Sequence, residues 1–236
     1  MPLPRPALID VRSDAVVLTR EAAPRSSVSL QAQGLQEALT GLIAPVRHAL
    51  RADVVVNAMH TRLLVLPPAA VLTSEARWTA YAASRFEDVF GDGADGWSLR
   101  VVPERPQRPR LLAALPMALM RTLDTLLGPR LRSVRIDTLV RIDELRLREP
   151  GYTGALVDVG AGHAVIALLV DGTLHRVRLR HMAPDLDELR AALRVEWAML
   201  GRVDALPALA IAPADVLDAS DPEALRTLAT RLVRLA

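Results

Sequence analysis

The stretch VDVGAGHAVIALLVDG, residues 157–172, decides how the rest of the chain is read. β-Branched and aliphatic residues run on both sides of a short glycine turn, so Ala155–Val159 and Ala164–Val170 read as paired strands. Asp171-Gly172 is a two-residue hairpin signal that leads into a third strand, Thr173–Leu179. Within the first turn, Asp158, Gly160 and Gly162 have Asp-x-Gly-x-Gly spacing. A helix to about Leu200 follows, capped by Asp185 or Asp187 and apolar at 189, 193, 197 and 200. Gly201 ends it, Leu206–Ala212 reads as a buried strand, and Asp221-Pro222-Glu223 starts a last helix, apolar at 225, 228, 232 and 235.

The N-terminal half repeats this order. Ala7–Val11 and Ala15–Thr19 flank a turn at Arg12–Asp14, and Ser27–Leu30 is a third strand. Leu35–Leu50 has helical spacing broken by Pro45, which kinks or divides it. Asp53–Asn57 and Leu63–Leu66 are further strands. Thr73 or Ser74 caps a helix to about Phe90 that places Trp78, Ala82, Phe86 and Val89 on one face, with Tyr81 beside it. Trp97–Val102 and Leu111–Leu115 read as strands around the loop PERPQRP, and Pro116 opens a helix to about Leu127. Leu131–Leu139 reads as a strand with slipped alternation; Val140–Leu147 fits strand or helix equally. Glu149-Pro150-Gly151 is the best boundary in the chain.

Composition narrows the function classes. Hydrophobic residues make up 51% of the 236 and aromatics only 3%, so the core is built from Leu, Val, Ala and Ile. A chain this long buries roughly 70% of its unfolded surface and needs no metal or disulfide to hold its core. All 29 basic residues are arginines, which suits a GC-rich genome, and 27 acidic residues leave a formal charge of only +2. No basic stripe with interleaved aromatics is visible, which argues against nucleic acid as a partner. Cysteine is absent, so disulfides and thiolate metal sites are excluded. MPLPRPALID at the N-terminus lacks the apolar run of a signal peptide, and no run of about 20 apolar residues exists to span a membrane. A cytoplasmic location is the expectation.

The order β-β-β-α-β-α given twice, with an aspartate on the first strand of each half, resembles the actin-like ATPase superfamily. VDVGAGHAVIALLVDG is similar to its second phosphate hairpin, and ALIDVRSDAVVLTR, residues 7–20, to a degraded first one. Residues 54–91, from VVVNAMH to EDVFG, resemble the PilM and GspL type, actin-like components of type IV pilus and type II secretion inner-membrane platforms. In these a strand pair ending in Leu-Pro leads into a helix rich in Ala and Phe or Tyr. The resemblance implies an α/β fold of two actin-like (ribonuclease H-like) lobes, with mixed sheets and flanking helices. Their expected extents are residues 1–148, carrying an inserted subdomain at about 73–147, and residues 149–236.

The resemblance also implies where a nucleotide would sit, with two hairpin turns approaching its phosphates. The candidate residues are Asp10, Ser13, Asp158, Gly160 and Gly162. His163 stands where threonine or serine is common, and Val11-Arg12-Ser13 has no glycine, so there only Arg12 or Ser13 side chains could hold a phosphate. Ala212-Pro213-Ala214 occupies the region of an adenosine-binding Gly-Gly turn, and proline removes a donor. About one of three required elements survives. The five histidines, 48, 60, 163, 175 and 181, show no metal-ligand spacing with carboxylates, and no nucleophile elbow, Walker loop or Rossmann fingerprint occurs. The expectation is therefore a scaffold with no catalytic residues, no metal and no cofactor. It would be recruited to the inner-membrane face by the cytoplasmic tail of a platform protein, with the assembly ATPase as a further contact. The alternative is a nucleotide-binding actin-like ATPase or small-molecule kinase using Mg-ATP. The residues up to Ala236 include no transmembrane helix of the kind full-length GspL-type proteins carry, so a free PilM-like subunit or an excised cytoplasmic domain is expected.

Overall fold

β-Branched residues on both sides of Arg12–Asp14 make the first hairpin, β1 (Ala7–Val11) and β2 (Ala15–Thr19), antiparallel with Asp10 opposite Val17. The computed structural model describes residues 6–21, 23–46, 51–105, 107–160, 162–182, 186–201 and 209–211. β3 (Ser26–Ser29) pairs antiparallel with β2, and α1 (Leu35–Ile43) follows. The helix stops well short of Leu50. Ala44 still has helical backbone, but Pro45 has no N–H to donate, so the helical ladder stops there and the chain turns at Ala44–Val46. Residues 47–50 lie outside the described set.

The chain then returns alongside β1 as β4 (Ala52–Val56), in parallel register from Ala7 opposite Ala52 to Val11 opposite Val56. β5 (Arg62–Leu66), α2 (Glu75–Phe90), β6 (Trp97–Val101) and β7 (Arg110–Pro116) follow, and the three strands form a sheet of order β5-β7-β6. Ser74 rather than Thr73 caps α2, its hydroxyl accepting from the Arg77 N–H at 3.3 Å. Trp78, Ala82 and Phe86 are buried as expected, but Val89 is 38% exposed, because the helix ends one residue later and its last turn carries less of the core.

α3 (Met117–Leu127) and β8 (Leu131–Ile136) come next, and they alter the expected insertion. β8 lies parallel to β4, and α3 buries Leu119, Leu123, Leu126 and Leu127 in the same core as α1. Both therefore complete the first sheet, of order β3-β2-β1-β4-β8, and only the stretch from β5 to β7 interrupts its topology. The expected strand over Leu131–Leu139 ends at Ile136, and the ambiguous segment is helix α4 (Asp137–Arg148). The alternation slips there because Asp137 starts the helix, its Oδ1 accepting from the Thr138 N–H at 2.6 Å.

β9 (Gly154–Gly160), β10 (His163–Val170) and β11 (Thr173–His181) are antiparallel neighbours, and β12 (Leu209–Ile211) runs parallel to β9, in the order β11-β10-β9-β12. Asp171 and Gly172 have φ of 49° and 69°, the two left-handed residues that a tight hairpin needs. α5 (Leu186–Ala198) lays Leu189, Leu193 and Trp197 on Ala155, Val157, Ile166 and Leu168. The two sheets share one plan: a hairpin, a third antiparallel strand, a helix, then a parallel strand beside the first. The final helix expected from Asp221 and the Ala212–Ala214 turn lie outside the described residues.

Contacts divide the chain into two compact units. One comprises residues 1–62, 79–100 and 113–140, the other 63–78, 101–112 and 141–236. In the first, Ile9, Val11, Val54 and Val56 point inward from β1 and β4 against α1 and α3. In the second, β9 and β10 are buried along nearly their whole length, as strands covered on both faces must be.

Candidate functional site

Parallel strands place side chains that follow them beyond their carboxyl ends, where ligands of open α/β sheets usually bind. In the first unit those positions belong to Arg12 after β1, Asn57 after β4 and Asp137 after β8. Arg12 does not point outward toward an anion. Its Nε donates to Asp10 Oδ2 at 2.8 Å, and both side chains are only about a fifth exposed, at 20% and 24%. The turn is tied down further by the Arg12 N–H donating to Ala15 O at 2.8 Å and by His60 Nε2 lying 2.7 Å from Arg12 O. Ser13 stays in the turn, with no glycine beside it.

Asn57 and Asp137 form a second knot. Asp137 Oδ2 accepts from Asn57 Nδ2 at 2.7 Å, and its Oδ1 accepts from the Ala58 N–H at 3.0 Å. Asn57 Oδ1 in turn accepts from the Met59 N–H at 3.0 Å, and the Asn57 N–H donates to Val11 O at 2.7 Å. Asn57, His60 and Asp137 are absent from the sequence-derived candidates. Their signal is positional, since two of them directly follow a parallel strand, and it is invisible until β1, β4 and β8 are known to be neighbours.

In the second unit, Asp158 lies in β9 at 7% exposure, and Arg141 of α4 places its Nε 3.4 Å from Asp158 Oδ2. Desolvating a carboxylate this far requires a cation or several donors close by. Gly160 lies directly across from His163, whose side chain is buried. A Cβ on Gly160 would lie 2.1 Å from His163 Cε1 and 2.5 Å from Nε2, so the imidazole covers that face of the glycine. Gly162 has φ of +73° with open space where a Cβ would be, and its carbonyl accepts from the Met182 N–H at 3.1 Å. The spacing Asp158-Gly160-Gly162 thus builds a tight turn with one glycine used for its backbone angle and one for room beside His163.

A third ionic cluster ties α5 to β11, the outer strand of the same sheet. Glu196 of α5, 2% exposed, receives Arg176 Nε and Arg180 Nη2 from β11, the latter at 2.5 Å. Burial pushes its carboxyl up, but the hydrogen bonds and charges of the two guanidiniums outweigh that and hold it below its ordinary value. Among the described residues no group of three or more His, Cys, Asp or Glu could hold a metal ion. Among the same residues, no helix is long and apolar enough to cross a membrane.

No family model matches the chain, and no curated protein sequence matches it significantly. Solved structures do. A protein of unknown function from Bacteroides thetaiotaomicron, described as having an actin-like ATPase fold, superposes with a TM-score of 0.65 over 97% of this chain and 87% of its own, at 11% identity. The chain has the actin-like fold. The actin-like plan is also shared with the PilM–PilN type IV pilus biogenesis complex, at TM-score 0.61 and 15% identity over 99% of this chain and 87% of that one. The cytoplasmic domain of EpsL, an inner-membrane component of the Vibrio cholerae type II secretion system, matches at TM-score 0.50 and 11% identity, over 98% of this chain and 94% of that domain. At these identities the likeness is one of fold, and it bears out the actin-like α/β architecture and the structural resemblance to PilM- and GspL-type proteins.

Proposed function

We propose that this actin-like chain is a cytoplasmic docking scaffold of a type IV pilus or type II secretion inner-membrane platform. It receives the cytoplasmic tail of a membrane protein, contacts the assembly ATPase, and neither binds nucleic acid nor hydrolyses ATP. The observation that carries this reading is the state of the two hairpin aspartates. Asp10 is paired with Arg12 and Asp158 with Arg141, so each carboxylate that would hold a magnesium water shell is already neutralised by its own chain. His163 covers one of the glycines that would have to lie open to a phosphate. The structural likeness to PilM in complex with PilN and to the EpsL cytoplasmic domain supports the choice of partner class.

Crosslinking the tagged chain in cells of its source, followed by capture and identification, tests this reading. Recovery of an inner-membrane pilus or secretion protein is expected; recovery of none overturns it. The competing reading, an actin-like ATPase or kinase that uses Asp10, Ser13, Asp158, Gly160 and Gly162, draws on the spacing of the second turn and the left-handed backbone of Gly162.

A further inference from the structure

Arg62 opens β5, and its guanidinium carbon lies 5.2 Å from the centre of the Trp97 ring and 5.7 Å from that of Phe90. The platform beneath it is fixed by the core. Phe86, fully buried, packs tilted against Phe90 at 5.0 Å and against Trp97 at 5.5 Å between ring centres. Phe90, Trp97 and Arg62 are themselves half-buried, so the guanidinium is held against aromatic faces at the surface.

Its hydrogen-bonding edge is nearly unused. A guanidinium carries five N–H donors. Among the described residues Arg62 gives one hydrogen bond, from Nη1 to Thr61 O at 3.3 Å, and no carboxylate pairs with it. Several other half-buried arginines do meet an acid, among them Arg12 with Asp10, Arg141 with Asp158 and Arg176 with Glu196, whereas Arg110, 4.4 Å over the Trp78 ring, donates to the Glu104 carbonyl. Stacking leaves the in-plane edge of a guanidinium free and pre-organised, which is the geometry that accepts a carboxylate in two parallel hydrogen bonds.

We propose that Arg62, backed by Phe90 and Trp97, is a receiving site for a glutamate or aspartate side chain of a docked peptide. The inference deepens the docking reading by naming the chemistry of the segment received, and it rests on that reading. The peptide carboxylate takes two N–H donors of Arg62, while the aromatic rings exclude water from one face of the pair.

The probe is acetyl-tetraglutamate-amide, with acetyl-tetraglutamine-amide as the neutral counterpart. The arginine Nε–H signals of the full chain are followed by NMR, and the Arg62 signal is assigned as the one missing in R62Q. Saturable movement of that signal with tetraglutamate but not with tetraglutamine is expected. By calorimetry, R62Q is expected to weaken tetraglutamate binding at least about tenfold, the order of a charge-assisted hydrogen bond. R85Q, which removes the same charge from an exposed pair with Asp88, leaves it within about twofold. An unmoved Arg62 signal, equal effects of R62Q and R85Q, or displacement of tetraglutamate by an equal concentration of inorganic phosphate would each overturn the proposal. Capture of a platform protein that is undiminished by R62Q overturns this site while leaving the docking reading standing; no capture by the wild-type chain removes the docking reading itself.

Discussion

Replacing Gly160 by alanine puts the contact between the second hairpin's glycine and His163 to a quantitative test. The new methyl carbon would lie 2.1 Å from His163 Cε1, 2.5 Å from Nε2 and 2.8 Å from Nδ1. Unstrained carbon contacts lie at about 3.5–4.0 Å, so the ring must leave its place. His163 is 4% exposed on β10, directly opposite Gly160, and its neighbours Val165 and Ile166 are buried, so displacement means overpacking or expulsion of the imidazole. Overpacking of this kind costs about 1–3 kcal/mol. Gly160 itself is not in the left-handed region, so alanine is compatible with its backbone and would by itself stabilise by about 0.4–1 kcal/mol through the unfolded chain. The two effects are separated by a double-mutant cycle in urea. G160A should destabilise, while adding G160A to H163A should be neutral or mildly stabilising, a coupling of about 1–3 kcal/mol. Additivity of the two substitutions would refute the placement of the ring over the glycine.

Three further outcomes follow from the same structure. G162A is expected to cost about 1–2 kcal/mol in the same urea assay, from the φ of +73° that an alanine rarely adopts. Glu196 has its folded pKa lowered from 4.5 by Arg176 and Arg180, so its contribution to stability is fully present above that value and is lost as the pH falls through the folded pKa. Thermal melts of E196Q should therefore lie below wild type at neutral pH and converge toward it in acid; a gap that widens below pH 4.5 would contradict the assignment. D137A removes the acceptor of Asn57 Nδ2, the Ala58 N–H and the Thr138 N–H, and should lower stability by about 2–3 kcal/mol in denaturant titration, with D137N recovering part of it.

The hairpins and helix ends were the most legible parts of the chain, because their signals are local. β1 and β2 occupy the expected residues, Asp171-Gly172 makes the expected turn, and Gly91, Gly128 and Gly201 end helices in left-handed backbone. α4 was not legible, since Val140–Leu147 offers apolar residues to either period and only the contact of Asp137 with Asn57 and Ala58 fixes where the strand stops. The place of β8 is hidden for a related reason. β8 joins the first sheet by pairing with β4 about 80 residues earlier in the chain, and nothing local to Leu131–Ile136 records that partner.

The candidate site divides along the same line. The spacing of Asp158, Gly160 and Gly162 was readable, and so was the lack of glycine around Arg12. That Arg12 would close back on Asp10, two residues away, could have been suspected from alternation, since both side chains lie on one side of the strand. The pairing of Arg141 with Asp158 could not, because a helix from the preceding stretch supplies it. Asn57, His60 and Arg62 fall within seven residues of one another, yet their hydrogen-bond and ring partners range from Arg12 to Asp137.

The most direct test of the central claim is a calorimetric titration of the full chain with Mg-ATP, alongside D158A. The account predicts no saturable binding at micromolar concentrations in either protein, because Arg12 and Arg141 already occupy the carboxylates a magnesium ion would need. Micromolar binding to the wild-type chain that D158A abolishes would contradict it and return the chain to the nucleotide-using members of its fold.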